Sequence, residues 1–465
     1  MTNADDTLTQ TLRAAVADRF AQSVAELSEL VKIPSVSWPA FDPKHVEASA
    51  AAVAEHVRSL GIFENVRVER VAIDDETTGA PAILAKRPAR NGKPTVLLYA
   101  HHDVQPWGDE ALWNSPPFEP TLRDGRLYGR GASDDKAGVM THIAAIRALL
   151  AVDADPDLGI ALFIEGEEEF GSRSFSNFLE RHAAELEADV IVVADSDNWS
   201  TEIPSLTVAL RGNVTFKLTV RTLEHASHSG MYGGAVPDAM LATVKLLSTL
   251  WNEDGSAAVP GLTTHDARTP EGDETALREE AGLLEGVSLV GEGPVLERLW
   301  FRPAITVTGI DAPSVAKASN TILPEVSVRI STRIAPGQSS AAAFAAIEQH
   351  LHANAAFGSH LSITDVDQGD PFLVDTSAWA VDEAKRAMTD AWGNEAVEAG
   401  IGGSIPFISE LVEKFPKAQI LVTGVEDPGT MAHSPNESQH LGVFEKAILS
   451  EALLLARLNE RESAE

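Results

Sequence analysis

Three strands that are apolar from end to end each run straight into acidic residues or histidine. Val96-Leu97-Leu98-Tyr99 leads into Ala100-His101-His102-Asp103, Ile160-Ala161-Leu162-Phe163-Ile164 into Glu165-Gly166-Glu167-Glu168-Glu169, and Val190-Ile191-Val192-Val193 into Ala194-Asp195-Ser196-Asp197-Asn198. A strand without a polar face is buried on both sides, which calls for a largely parallel sheet with helices above and below it. Helical stretches between the strands, such as residues 136–151, supply that cover. In open α/β sheets ligands bind outside the carboxyl ends of the strands, so these polar clusters are expected to converge on one crevice.

At 465 residues the chain exceeds one ordinary core, and its texture changes along its length. Leu12, Val16, Phe20, Val24, Leu27 and Leu30 recur at helical spacing over residues 7–31, and the pattern stops before Pro34. Strand-like runs follow at 66–73, 82–84 and 95–99. After about residue 206, segments at 214–220 and 326–334 alternate polar with apolar residues, as an antiparallel sheet with one wet face does. Helices at 237–250 and 340–351 would cover its other face, and the acidic, Gly-rich stretch 252–293 reads as loops and short helices. From residue 377 the α/β texture resumes, with a strand at 419–422. The expected fold is therefore α/β, a mixed, mainly parallel sheet flanked by helices. One domain is formed by residues 1–205 and 377–465, and a second, α+β domain, 206–376, is inserted between its two parts.

Sixty-nine Asp and Glu against thirty-six Lys and Arg give a formal charge of −33. Such a charge repels phosphate backbones and anionic lipid, so neither nucleic acid nor membrane is an expected partner. There is no cysteine, which excludes disulfides, thiolate metal sites and a cysteine nucleophile; a metal would have to sit on His, Asp and Glu. Residues 1–11 are polar and acidic, without the basic start and apolar run of a secretory signal, and no stretch reaches transmembrane length, so the chain reads as cytoplasmic.

Besides the strand-end clusters, Gly131-Ala132-Ser133-Asp134-Asp135-Lys136 and Met431-Ala432-His433-Ser434 concentrate the same residue types. Carboxylates crowded at one end of a sheet must protonate, disperse or be neutralised, and divalent cations neutralise them most simply. Two His and three carboxylates suit Zn²⁺, and Mn²⁺ or Co²⁺ fit the same kind of donor set. Residues two apart on a strand share a face, so Asp103 can lie behind His101 and accept its second ring N–H while His102 points away. A phosphate-binding loop at Gly129-Arg130-Gly131 is excluded because Asp134 and Asp135 occupy the turn where phosphate needs bare N–H groups. No Gly-x-Ser-x-Gly elbow follows a strand, which argues against a serine hydrolase.

The motifs, taken in order, resemble the M20 family of metallopeptidases, particularly its dipeptidase and carnosinase-like branch, over essentially the whole chain. They are His101 to Pro106 (His-x-Asp-Val-Gln-Pro), Gly129 to Lys136, Glu165 to Ser172, Ser196-Asp197-Asn198, His228-Ser229-Gly230, Gly402-Gly403-Ser404-Ile405-Pro406 and Ala432-His433-Ser434. The resemblance implies two Zn²⁺ per subunit. His101 and Asp197 would hold one, Glu169 and His433 the other, and Asp134 would bridge both. It also implies that Asp103 orients His101, that Glu168 is the general base acting on a shared water, and that the peptide from Asp134 to Asp135 is cis. The segment reads as extended, on which neighbouring Glu168 and Glu169 face opposite ways and can divide these tasks.

The family supplies a histidine across a dimer to stabilise the developing oxyanion, a role that would fall to His228 in a homodimer formed through the inserted domain. Arg333 matches the family's arginine for the free carboxylate of a small peptide substrate, with Ser404 beside the glycine pair, and Asn320 and Thr321 as auxiliary candidates. Where the family often carries Arg-Glu before its Gly-Gly-Ser motif, this chain has Gly400 and Ile401. The expected reaction is hydrolysis of an amide bond in a dipeptide or similar small substrate. The same machinery would serve removal of an N-acyl or N-carbamoyl group from an amino acid. A metal-free binding or assembly module would predict a lost ligand, and all five are present.

Overall fold

The computed structural model describes residues 3–266, 269–402 and 406–461, which divide into two compact units. The first comprises residues 1–208, 374–399 and 410–465, and the second 209–373 and 400–409.

In the first unit the strands Gly159–Glu165, Thr95–His101, Val190–Ala194 and Gln419–Thr423 lie side by side and parallel. All seven residues of Gly159–Glu165 and all five of Val190–Ala194 are buried, as strands covered on both faces must be. Outside this parallel core the sheet turns antiparallel. Ala82–Arg87 and Val66–Glu69 extend it on one side, and Ser205–Leu210 begins the other. Strand Thr95–His101 carries its pairing with Glu165 as far as His101, two residues further than its apolar run, which brings the histidine into the sheet.

Helix Asn3–Val31 buries Leu12, Leu27 and Leu30 in the core, and helix Lys136–Val152 is buried along most of its length. Lys136 joins the two: its buried ammonium donates to the Leu30 and Ile33 carbonyls at 2.9 and 2.7 Å, at and just past the end of the first helix. Burial lowers its pKa to about 7. Helices Lys44–Arg58 and Leu441–Glu460 also pack in this core. None of the described helices is long and apolar enough to cross a membrane.

The second unit is an antiparallel sheet of four strands in the order Ala304–Asp311, Glu325–Ile334, Gly212–Arg221, His360–Gly369. Gly212–Arg221 alternates strictly between buried and less buried positions, the signature of a sheet with one covered face. Val214, Phe216, Leu218 and Val220 form that face, together with Ala242 and Leu246 of helix Ala239–Leu247 and Ile347 and Leu351 of helix Ser340–Ala353.

Candidate metal centre

The carboxyl ends of the parallel strands and the turns after them gather the polar residues of the first unit. His101 ends its strand fully buried, with Nδ1 3.3 Å from Asp103 Oδ1 and 3.1 Å from the Asp103 carbonyl. This ring nitrogen is therefore committed to Asp103, and Nε2 faces the centre. His102 points the other way, its Nε2 2.9 Å from the Pro81 carbonyl, and burial lowers its pKa to about 4, so it is a neutral structural histidine.

Asp103 does more than hold a ring. Its Oδ1 accepts from the Glu168 N–H at 3.1 Å, and its Oδ2 accepts from the Glu169 N–H at 3.2 Å and from Ser37 Oγ at 2.7 Å. Residues 168–170 form a turn of 3₁₀ helix, closed by Gly171 at φ +86°, and not the extended segment expected from sequence. The reason is local: Asp103 offers acceptors to two successive N–H groups, and Glu167 turns back to accept from Ser174 N at 2.9 Å. Glu168 and Glu169 still point apart, because successive residues of a 3₁₀ turn are separated by about a third of a turn.

Asp134 lies at the middle. Its Oδ1 is 3.1 Å from His101 Nε2 and its Oδ2 2.9 Å from His433 Nε2, and the peptide to Asp135 is cis. Glu169 Oε2 is 3.3 Å from the same His433 nitrogen and accepts from Gln105 Nε2 at 2.6 Å. Glu168 Oε2 stands 3.9 Å from His101 Nε2. Two sets of donors are close enough to share an ion: Asp134 with Glu169 and His433, and His101 with Asp135 and Asp195.

Asp197 is placed differently. It is exposed and its carboxyl bonds to that of Glu426, whereas Asp195, two residues earlier, reaches within 3.8 Å of His101 Nε2. The pairing of these two chain segments depends on Gly424, where a Cβ would fall 1.6 Å from the Ser196 carbonyl oxygen. Asp195, Asp135 and Gln105 were not singled out by sequence reasoning. The rule that residues two apart share a face, applied to Asp197, leads to Asp195.

Charge in this cluster is unbalanced without cations. Burial disfavours a charged His101, yet the Asp103, Asp134 and Asp195 carboxylates overcome this and hold its pKa well above the ordinary imidazole value. Bonds to Asp134 and Glu169 raise His433 to about 11. Burial, with Asp195, Glu169 and Asp103 adding and His101 opposing, pushes Glu168 well above the usual carboxylate range; burial and Asp134 raise Glu169 to about 7. Among the described residues, His101 Nε2, Glu169 Oε1 and Asp135 Oδ1 are buried without a well-formed hydrogen bond. Imidazole nitrogens and carboxylate oxygens that converge, lack partners and attract protons are a donor set that fits divalent cations.

In the second unit His228 and Thr321 are direct register partners, and Ser229 N donates to the Asn320 carbonyl at 3.0 Å, so three of the expected substrate-side residues come together. His228 is exposed, and its Nδ1 accepts from the Gly230 N–H at 3.0 Å. A neutral ring with Nδ1 accepting carries its proton on Nε2, which makes that atom a donor. Arg333 is half-buried on strand Glu325–Ile334 and lowers, after burial itself, the pKa of Arg211 to about 10. Arg211, which sequence reasoning missed, donates to the Gly402 carbonyl at 3.1 Å. Ser404 lies outside the described residues.

A parallel sheet ending in two imidazoles and several carboxylates about one shared aspartate defines a metal-dependent hydrolase. The model of peptidase family M20/M25/M40 matches residues 97–457, and the chain belongs to this family. It is 34% identical over 436 residues to the cysteinylglycine-S-conjugate dipeptidase of Corynebacterium striatum, covering 92% of this chain and 94% of that protein. To the human Beta-Ala-His dipeptidase it is 30% identical over 383 residues, 77% of this chain and 73% of the other. Among solved structures, human carnosine dipeptidase 1 superposes with a TM-score of 0.75 at 25% identity, covering 98% of this chain and 99% of that one. Dug1p of Saccharomyces cerevisiae superposes with a TM-score of 0.77 at 21% identity, covering 97% and 99%. The protein is a metallopeptidase that hydrolyses peptide bonds.

Proposed function

We propose that this protein is a two-zinc dipeptidase in which Glu168 is the general base. The observation that carries the reading is Asp134, whose two oxygens face His101 and His433 separately, as a carboxylate bridging two cations must. His101 with Asp197 on one side, and Glu169 with His433 on the other, complete the proposed ligand sets, which requires the Asp197 carboxyl to leave Glu426; Asp195 is a further oxygen donor on the His101 side. The donor chemistry suits Zn²⁺, and Mn²⁺ or Co²⁺ would serve. Bound there, two cations supply the positive charge that acidifies a water and polarises the scissile carbonyl.

The remaining work falls to the chain. Asp103 fixes the His101 tautomer and, through the Glu168 and Glu169 N–H groups, the turn that presents the base. Glu168, whose Oε2 stands 3.9 Å from His101 Nε2, is placed to take a proton from water and return it to the leaving amine. His228 Nε2–H is proposed as donor to the developing oxyanion, supplied across a homodimer formed through the second unit. Met231, Tyr232 and Val315, which expose large apolar surface there at 74%, 49% and 96%, support such a contact, and a monomer by light scattering would contradict it.

Arg333 is proposed to bind the free carboxylate of the dipeptide, with Asn320, Thr321 and Ser404 beside the substrate. A hydrogen bond to a charged group is worth about 1.5 to 3 kcal/mol, so Arg333→Ala is expected to raise KM for dipeptides by at least about 10- to 100-fold with kcat less affected. An unchanged KM would remove Arg333 from the site. Silence toward all dipeptides, with cleavage of N-acyl amino acids, would move the substrate class and leave the metal chemistry in place.

A further inference from the structure

The two segments that deliver Asp134 and His433 are tied together by a side chain with no role in the scheme above. Glu437 is fully buried, and its carboxylate accepts four hydrogen bonds, all from residues 130–134. Oε2 takes one from the Arg130 guanidinium and one from Gly131 N at 3.1 Å; Oε1 takes Ser133 N at 3.1 Å and Asp134 N at 3.2 Å. A carboxylate has about four lone-pair sites, so this one is saturated. The Glu437 carbonyl accepts a further bond from Gly129 N at 3.0 Å.

On its own side Glu437 closes the loop that carries His433. His433 and Asn436 both adopt left-handed backbone, at φ +60° and +67°, which few non-glycine residues hold without support. Asn436 is anchored by accepting from Asn114 N at 2.7 Å and donating to the Leu112 carbonyl at 2.9 Å. Glu437 next to it is the link to the Asp134 turn. A simpler role, neutralising buried Arg130, accounts for only one of the four side-chain bonds; the other three come from the main chain of the turn itself.

We propose that Glu437 is the positioning residue of the centre, setting Asp134 and His433 at the separation that one cation requires of both. The proposal rests on the two-metal reading. Glutamine at this position keeps the size but replaces one acceptor oxygen with an NH₂ group, which then faces donors. Two ligands of the His433-side metal are thereby loosened and only one of the other.

The test is calorimetric titration of metal-stripped wild type and Glu437→Gln with Zn²⁺, with metal per chain counted after gel filtration. Wild type is expected to take two equivalents. In Glu437→Gln one of the two sites is expected to lose about 10- to 100-fold in affinity, the range for partners that orient ligands, and the other clearly less, with lost turnover returning as Zn²⁺ is raised. Two wild-type affinities in the variant, or two affinities reduced by one common factor, would overturn the proposal. Should Glu437→Gln fail to fold, Glu437→Asp, which keeps the charge and withdraws the carboxylate by one methylene, is read by the same criteria. A wild-type protein that takes fewer than two equivalents would overturn the two-metal reading and this proposal with it.

Discussion

Replacing Glu168 with alanine is expected to lower kcat by about 10²- to 10⁴-fold while both metals stay bound, because a positioned general base contributes on that scale. The carboxylate is aimed at the centre, with Oε2 3.9 Å from His101 Nε2, but in the proposed arrangement it ligates no cation. Its main-chain N–H, which holds the turn to Asp103, is untouched by the substitution, so Glu169 keeps its place. Turnover should therefore collapse with little change in KM. Metal analysis beside steady-state kinetics checks this; a variant that loses a metal would show Glu168 to be a ligand, and one with wild-type turnover would exclude it as the base.

The second large effect is expected at Asp134. This carboxylate is the only one described that contacts both His101 and His433, at 3.1 and 2.9 Å. Asp134→Ala removes a donor from each proposed ion and the only anion the two share, so the loss exceeds that at a single-site ligand. Removing even a residue that merely orients a ligand costs about 10- to 100-fold in metal affinity, and a shared ligand should cost at least 100-fold. Metal content measured after dialysis should fall to one equivalent or less, and hydrolysis to background. Two tightly held metals in Asp134→Ala would refute the bridging role.

What could be read in the sequence follows from which physical signals are local. Strands buried on both faces are recognisable because every residue is apolar, and the clusters following 99, 164 and 193 follow from chain order. The alternation in Gly212–Arg221 is equally direct, since burial switches at each residue. Helix Leu441–Glu460 gave no such signal: residues 447–458 are buried throughout, so it lacks the polar face by which a helix is recognised, and it was not distinguished from the surrounding apolar sequence.

At the centre, the residues with their own motif were legible, and those acting through tertiary contact were not. Gln105 lies inside the His101 to Pro106 motif and Glu437 three residues past Ala432-His433-Ser434, but their parts depend on Glu169 and on the 130–134 turn, 64 and some 300 residues away in sequence. The 3₁₀ turn at Glu168–Phe170 was hidden for the same reason, because the acceptors that bend it belong to Asp103. Asp195 was within reach of period-2 reasoning from Asp197, the residue that the Ser-Asp-Asn motif marks.

The central claim, metal-dependent hydrolysis of dipeptides at this centre, is tested most directly by assaying metal-stripped protein on a dipeptide panel before and after Zn²⁺ or Mn²⁺ is restored, with Glu168→Ala in parallel. Cleavage that is absent without metal, returns with it and fails in the variant is the predicted result. Dipeptide cleavage that persists in fully stripped protein, or that Glu168→Ala retains at the wild-type rate, would contradict it.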